Sequence, residues 1–301
     1  MKLVHSPGEP SDGQVVDWSS GAPTVLRMLL GTQLRRLREA AGVTPDVASY
    51  EIRASRSKIS RMERGRVSFK RRDVDDLLTL YGVTDSDTRS GLLDLVDQAN
   101  AVGWWAKYGD ILPDWFEGYL GLEAAVSLIR TFELQFVHGL FQTEGYARAV
   151  TVLGHKAAGE AKIERRVSLR MARQNLLARQ PPPRVWSVMD EAALRRPVGG
   201  RAVMQAQLDH LREVAQLPYV TLQVVPFERG GHAGAGGSFS VLRFAERDLP
   251  DVVYIEQLTS ALYLDRRAEV DHYLEVMNRL CAEAMTPPQT LRFLGEIAAE
   301  I

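Results

Sequence analysis

The stretch Ser55-Arg-Ser-Lys-Ile-Ser-Arg-Met-Glu-Arg-Gly65 joins a hydroxyl able to cap a helix, two apolar residues three apart, and a run of cations. On a helix, Ile59 and Met62 fall at i and i+3 and point inward together. Arg56, Ser57, Ser60 and Arg61 then point outward. A guanidinium fork matches the O6 and N7 acceptors of guanine, and a serine hydroxyl can bond a base or a phosphate. The helix N-terminus adds free N–H groups that favour phosphate. The chemistry available here is recognition of double-stranded DNA by a helix lying in the major groove. Thr44, Arg53, Lys58, Arg64, Arg66, Lys70, Arg71 and Arg72 surround that face and suit phosphate contacts, which set affinity and register without reading sequence.

The elements that must hold this helix are legible on either side. Leu30, Leu34, Leu37 and Ala41 lie on one face of a first helix that Gly42 stops. Thr44 caps a second helix with Pro45 at its first position, and Val47, Ala48 and Ile52 are expected to face inward. Ser55 caps the third helix, which runs to Arg64 and ends at Gly65. Val74, Leu77, Leu78 and Tyr81 mark a fourth, closed by Gly82, and Leu92, Leu93, Leu95 and Val96 a fifth. Residues 31–72 hold twelve Lys and Arg against four acids, a local charge of +8. The whole chain is at −1, so the remainder carries −9. A basic module on an acidic body is the footprint of a DNA binder, although charge alone also fits a solvated basic face.

Residues 30–82 resemble the Cro/repressor-type helix-turn-helix, the xenobiotic response element family. The matching residues are Leu34 through Gly42, Thr44, Ser55 through Gly65, and Leu77 to Gly82. The resemblance implies an ion pair between Glu63 and Arg38 that ties the recognition helix to the first helix. It also implies action as a dimer on inverted half-sites. Two positions depart from the family pattern. Pro45 replaces a glutamine that helps clamp phosphate, and Arg53 stands in the turn where a glycine is usual. Trp104–Gly109, Gly121–Glu123, Gly139–Arg148, Asp190–Arg195 and Val253–Glu256 are similar to a domain of unknown function that follows such modules in many actinobacterial regulators. Those regulators are described as antitoxin-like, which implies a small protein partner encoded nearby. His138 stands where that domain more often has proline.

The rest of the chain reads as helices followed by a small sheet. Residues 101–122 are rich in aromatics and fit either a junction between domains or the core of the second. Helices are expected over Leu122–Arg130, Glu144–Leu153 and Ala161–Arg179, the last broken by Pro181-Pro182-Pro183. Val185–Met189, Val220–Val225, Phe239–Phe244 and Val252–Ile255 read as strands, the last extended by Leu262 and Leu264. A helix over Ala202–Gln216 separates the first two strands. Two more close the chain over Glu269–Ala284 and Gln289–Ala299, split by Pro287-Pro288. The expected fold is α+β and mainly α. A flexible tail (residues 1–24) precedes a five-helix helix-turn-helix domain (25–100) and a larger mixed domain (101–301) with a small sheet flanked by helices.

Nothing in the second domain points to catalysis. Asp190 and Glu191 fit a helix cap and a first-turn acid better than an acid/base pair. The glycine-rich stretch 230–237 lacks the Gly-Lys-Ser/Thr ending of a phosphate loop and reads as a mobile loop, with a ligand lid as the lesser alternative. The six histidines show no metal-ligand spacing, and the single Cys281 excludes an internal disulfide. No cofactor or metal is expected. With no signal-peptide core and no apolar run of membrane length, the expected location is the cytoplasm, away from any membrane. The expected function is that of a sequence-specific regulator, a repressor of the antitoxin-like kind, whose second domain binds a partner protein. The alternative is a small-molecule sensor.

Overall fold

The computed structural model describes residues 23–246 and 248–301. The expected tail lies outside the described residues except for Pro23 and Thr24, which already belong to a helix. Five helices come first: α1 (Pro23–Ala40), α2 (Pro45–Glu51), α3 (Arg56–Glu63), α4 (Arg71–Leu80) and α5 (Ser86–Ala99). Val25, Leu26, Leu29, Leu30 and Leu34 form one buried stripe, so α1 starts earlier than its leucine repeat suggested. Its partner at the closest approach is α3. A Cβ on Gly31 would strike the Met62 carbonyl, and one on Gly65 would strike the backbone at Met28. Gly65 also takes φ +64°, which terminates α3.

The caps form as the residue types dictate. The Thr44 hydroxyl accepts the Val47 N–H at 3.3 Å and the Ser55 hydroxyl accepts that of Lys58 at 3.2 Å. Asp85 does the same for Thr88 at 2.8 Å. One inward assignment is corrected: Val47 is 50% exposed, while Ala48 and Ile52 are buried. The Thr44 cap fixes the phase of α2, and only seven residues follow in the helix. Ala48 and its neighbour Ser49 take the inward face, and Val47 falls on the outer one.

After a short 3-10 turn at Trp104–Tyr108 come α6 (Asp114–Glu123) and β1 (Val126–Glu133). The helix expected over Leu122–Arg130 is therefore corrected. The helix there is α6, which ends at Glu123, and Val126 onward is a strand. β1 lies inside the sheet, with Val126, Ile129, Thr131 and Phe132 all fully buried. Its order Val-Ser-Leu-Ile-Arg-Thr-Phe-Glu does not alternate apolar with polar, so the period that separates a strand from a helix is missing.

There follow α7 (Glu144–Gly154), α8 (Glu160–Arg173), β2 (Arg184–Asp190), α9 (Glu191–Arg195) and α10 (Arg201–Val214). Then come β3 (Val220–Val225), β4 (Phe239–Phe244), β5 (Val252–Glu256), β6 (Ala261–Leu264), α11 (Arg267–Glu283) and α12 (Pro287–Glu300). α8 gives way to a 3-10 turn at Gln174–Ala178 before the prolines. Leu262 and Leu264 form a separate strand, β6, paired with β5 rather than extending it. Pro287 and Pro288 open α12, behind a capping box between Thr286 and Gln289.

The six strands form one sheet in the order β3-β2-β1-β4-β5-β6. β1, β2 and β3 run parallel, and β4, β5 and β6 add antiparallel. This is the α+β fold expected, with a wider sheet. One face (Ile129, Val185, Met189, Leu222, Leu242) joins a core shared with α10 and α12. The other face (Phe132, Val188, Val225, Val241, Val253) is covered by α11 through Val270, Met277 and Leu280.

The helical module and the sheet share the first of these cores, bridged by Tyr119 and Leu122 of α6. A Cβ on Gly121 of α6 would meet Thr24 of α1. Arg36 of α1 also donates a bidentate pair of bonds to Asp248, at 2.7 and 2.8 Å. The aromatic stretch serves both readings offered for it. Trp105 and Tyr108 pack with Leu120 and Leu169, while Tyr119 lies 4.2 Å from Tyr254, ring to ring.

The glycine-rich stretch 230–237 was expected to be mobile, but it is pinned. Ala233 N–H reaches Glu283 at 3.4 Å, His232 lies 3.3 Å from Asp190, and Gly234 sits where any side chain would strike the Phe132 ring.

Candidate nucleic-acid interface

α3 is held by its inner face. Ile59 and Met62 are each 1% exposed. Beside them Arg38 donates from Nε to Glu63 at 2.5 Å, from Nη2 to the second oxygen at 3.2 Å, and from Nη1 to the Val43 carbonyl at 2.9 Å. Both charged side chains are almost wholly buried. The hydrogen bonds to Glu63 hold the Arg38 guanidinium above its ordinary pKa. Burial pushes the neighbouring Tyr81 phenol up as well, with the Glu63 charge adding to it. This three-point clamp fixes α3 relative to α1 and to the turn before α2.

The outer face of α3 carries the four base-reading candidates. Arg56, Ser57 and Arg61 are exposed and Ser60 is half-buried. The structure brings these four together on one short helix. Arg56 is not free of acids, since Asp46 of α2 lies 3.8 Å from it.

The candidates for phosphate contact divide into two groups. Among the described residues, Arg53, Arg64 and Lys70 pair with no carboxylate, and neither does the base-reading candidate Arg61. The others are already engaged. Lys58 donates to Asp73 at 2.6 Å, Arg72 lies 3.6 Å from Asp76, and Arg66 lies 3.4 Å from Asp265. Arg71 donates to the Leu93 carbonyl at 2.7 Å and to Asp97 at 2.5 Å, tying α4 to α5. The Thr44 hydroxyl accepts the Val47 N–H in its cap and, among the described residues, keeps its own O–H free to donate. Sequence reading counts cations but cannot see these partners, which lie up to 199 residues away.

Arg53 occupies the glycine-like position in the turn before α3 with φ +51°, the only non-glycine residue at positive φ among those described. A left-handed backbone costs an ordinary residue about 1–2 kcal/mol. The strain keeps an unpaired guanidinium on the turn that leads into the reading helix. Tyr50, 86% exposed on α2, escaped the sequence reading, because a lone tyrosine in a short amphipathic helix resembles core. Its exposure on the element before α3 makes its hydroxyl a further candidate for phosphate.

The second domain contains a buried polar centre over the face of the sheet that also carries Thr131. The Arg173 fork pairs with Glu123 at 2.9 and 2.7 Å, both side chains buried. Arg170 donates to Gln142 at 3.0 Å, and burial lowers its pKa to about 10. Glu133 accepts from Thr131 at 2.8 Å, and burial raises its carboxyl to about 7. His138 caps the 3-10 turn Gly139–Phe141, and burial beside Arg173 and Arg170 lowers its pKa to about 3.

Asp190 caps α9 by accepting the Ala192 N–H at 2.8 Å, and Glu191 accepts that of Phe227 at 2.7 Å while pairing with Arg195. Among the described residues no group of three His, Cys, Asp or Glu could hold a metal ion, and no helix is long and apolar enough to cross a membrane.

Two family models match the chain. Residues 29–90 match a helix-turn-helix domain, and residues 116–296 match a domain of unknown function, DUF5753. The first match covers the clamp, α3 and its flanking cations, and supports DNA binding by this region. No curated protein matches the chain significantly. No solved structure does so either.

Glu63→Ala should lower stability by about 3 kcal/mol, because it leaves the Arg38 charge buried without its partner. Chemical denaturation followed by circular dichroism reads this, and an unchanged midpoint would mean the pair does not hold α3.

A second expectation concerns pH. The Glu133 carboxyl binds its proton more tightly in the folded chain than in the unfolded one. Its contribution is therefore fully present below 4.5 and lost as pH rises through about 7. The His138 shift runs the other way, its contribution being present above 6.5 and lost as pH falls towards about 3. Glu133→Gln should thus gain melting temperature relative to the parent between pH 4.5 and 7. Parallel profiles across that window would contradict the assignment.

Proposed function

The chain belongs to the family of the DUF5753 domain of unknown function, and we propose that it is a sequence-specific transcriptional repressor whose second domain binds a partner protein. The observation that carries the DNA reading is the division of α3 into two faces. Ile59 and Met62 are sealed into the core, while Arg56, Ser57 and Arg61 stand in solvent with Ser60 beside them. A helix anchored in this way can present its side chains to base edges in a fixed register. Arg53, Arg64, Lys70 and Tyr50 serve the phosphates on either side. The protein binds as a homodimer to inverted half-sites, each subunit placing one α3 in the major groove.

The partner reading rests on the sequence, which resembles antitoxin-like regulators encoded beside a small protein. Arg36 and Arg66 of the helix-turn-helix meet Asp248 and Asp265 of the second domain, so a partner bound to that domain has a direct electrostatic route to the DNA-binding module.

Gel shifts with the promoter-proximal DNA of its own gene test the reading face. Arg56→Ala and Arg61→Ala should each lose about 1–3 kcal/mol of specific binding and relax the preference at one position. Arg64→Ala should weaken all sequences alike and flatten the salt dependence by about one unit of slope. If both Arg56→Ala and Arg61→Ala bind every sequence as the parent does, another surface reads the DNA.

A further inference from the structure

The sheet face that packs on α11 is only partly covered. Beside the C-terminal half of that helix lies an open cavity of about 480 Å³ floored by Leu128, Arg130, Arg184 and Trp186 and walled by Asn278 and Cys281. Its size falls within the range of small-molecule sites.

The floor is held in place from beneath. Buried Gln223 donates to the carbonyls of Cys281 and Met285 at 3.2 and 2.9 Å, and accepts the Trp186 indole N–H at 2.7 Å. Arg130 lies over the Trp186 ring, 5.2 Å from its centroid, and donates to Asn278 at 2.8 Å. Its Nε is buried and bonds to nothing among the described residues. Arg184, exposed at the mouth, pairs with no carboxylate among them either.

These features are hard to explain as packing alone. Two guanidinium groups line one cavity, and neither has a carboxylate partner among the described residues. A guanidinium fork matches a carboxylate in two parallel hydrogen bonds. Leu128 and the Trp186 ring beside the forks offer apolar surface for a flat body attached to that carboxylate.

We propose that this cavity binds a small organic acid, with its carboxylate on Arg130 and Arg184 and a flat apolar body against Trp186 and Leu128. The site lies outside the helix-turn-helix and is independent of which DNA the protein binds.

Cys281 is the only cysteine in the chain, so a thiol reagent reports on this wall alone. Burial pushes its thiol pKa up, and alkylation by iodoacetamide is therefore followed at alkaline pH. Benzoate is the probe, with neutral benzamide and inorganic phosphate as comparisons. Benzoate should slow alkylation in the full chain saturably and shift the Trp186 indole N–H resonance, identified by its loss in Trp186→Phe. Benzamide should do neither, and phosphate should act only at higher concentration. Arg184→Gln, a change at an exposed position, should weaken the benzoate effect about tenfold, the worth of a charge-assisted hydrogen bond. The proposal is overturned if benzoate at tens of millimolar leaves both readouts unmoved. Equal protection by benzamide or by phosphate overturns it, as does an undiminished benzoate effect in Arg184→Gln.

Discussion

The orientation of α3 depends on one buried ion pair. Arg38 and Glu63 are both shielded from water, and the guanidinium spends its remaining donors on the Val43 carbonyl. Burying two charges is costly, and such a pair is weak evidence of stability for its own sake. It specifies geometry. Arg38 sits near the end of α1, Glu63 closes α3, and Val43 begins the turn into α2. The three hydrogen bonds therefore leave little freedom in how the reading helix emerges. Gly31 and Gly65 belong to the same constraint, since the backbone contact between α1 and α3 would be impossible with a Cβ at either position.

Charge on the module is partly spent internally. The +8 of residues 31–72 is a property of composition, but Lys58, Arg66, Arg71 and Arg72 each face an acid. Arg71 works as a brace between α4 and α5. The phosphate candidates without an acid partner among the described residues, Arg53, Arg64 and Lys70, lie around α3 and its two flanking turns. Two ion pairs also join the module to the second domain, Arg36 with Asp248 and Arg66 with Asp265. The helical module and the second domain are thus in contact through these arginines and through the core that passes along α6.

The helix-turn-helix was readable because its signals are local. Thr44 and Ser55 cap the helices they precede, and Ile59 and Met62 fill the core as their spacing requires. Arg53 was recognisable as a departure from a glycine, and its positive φ shows why glycine suits the turn. The second domain was less legible because its determinants are not local. β1 lies between β2 and β4 and carries polar residues on both faces, Thr131 on one and Arg130 on the other, so its alternation is erased. The 230–237 loop looked mobile by composition, yet Glu283 and Asp190, distant in sequence, hold it down. Arg130 and Trp186 carry no motif at all. Only the pairing of β1 with β2, which sets them opposite one another, brings them to one cavity.

The central claim is that the exposed face of α3 reads base sequence in a two-fold arrangement. Selection of bound DNA from a random pool, with the full chain as bait at physiological salt, tests it most directly. The account expects a single enriched motif, an inverted repeat with half-site centres about 10 base pairs, or one helical turn, apart. Recovery of a pool no different from its input would contradict it.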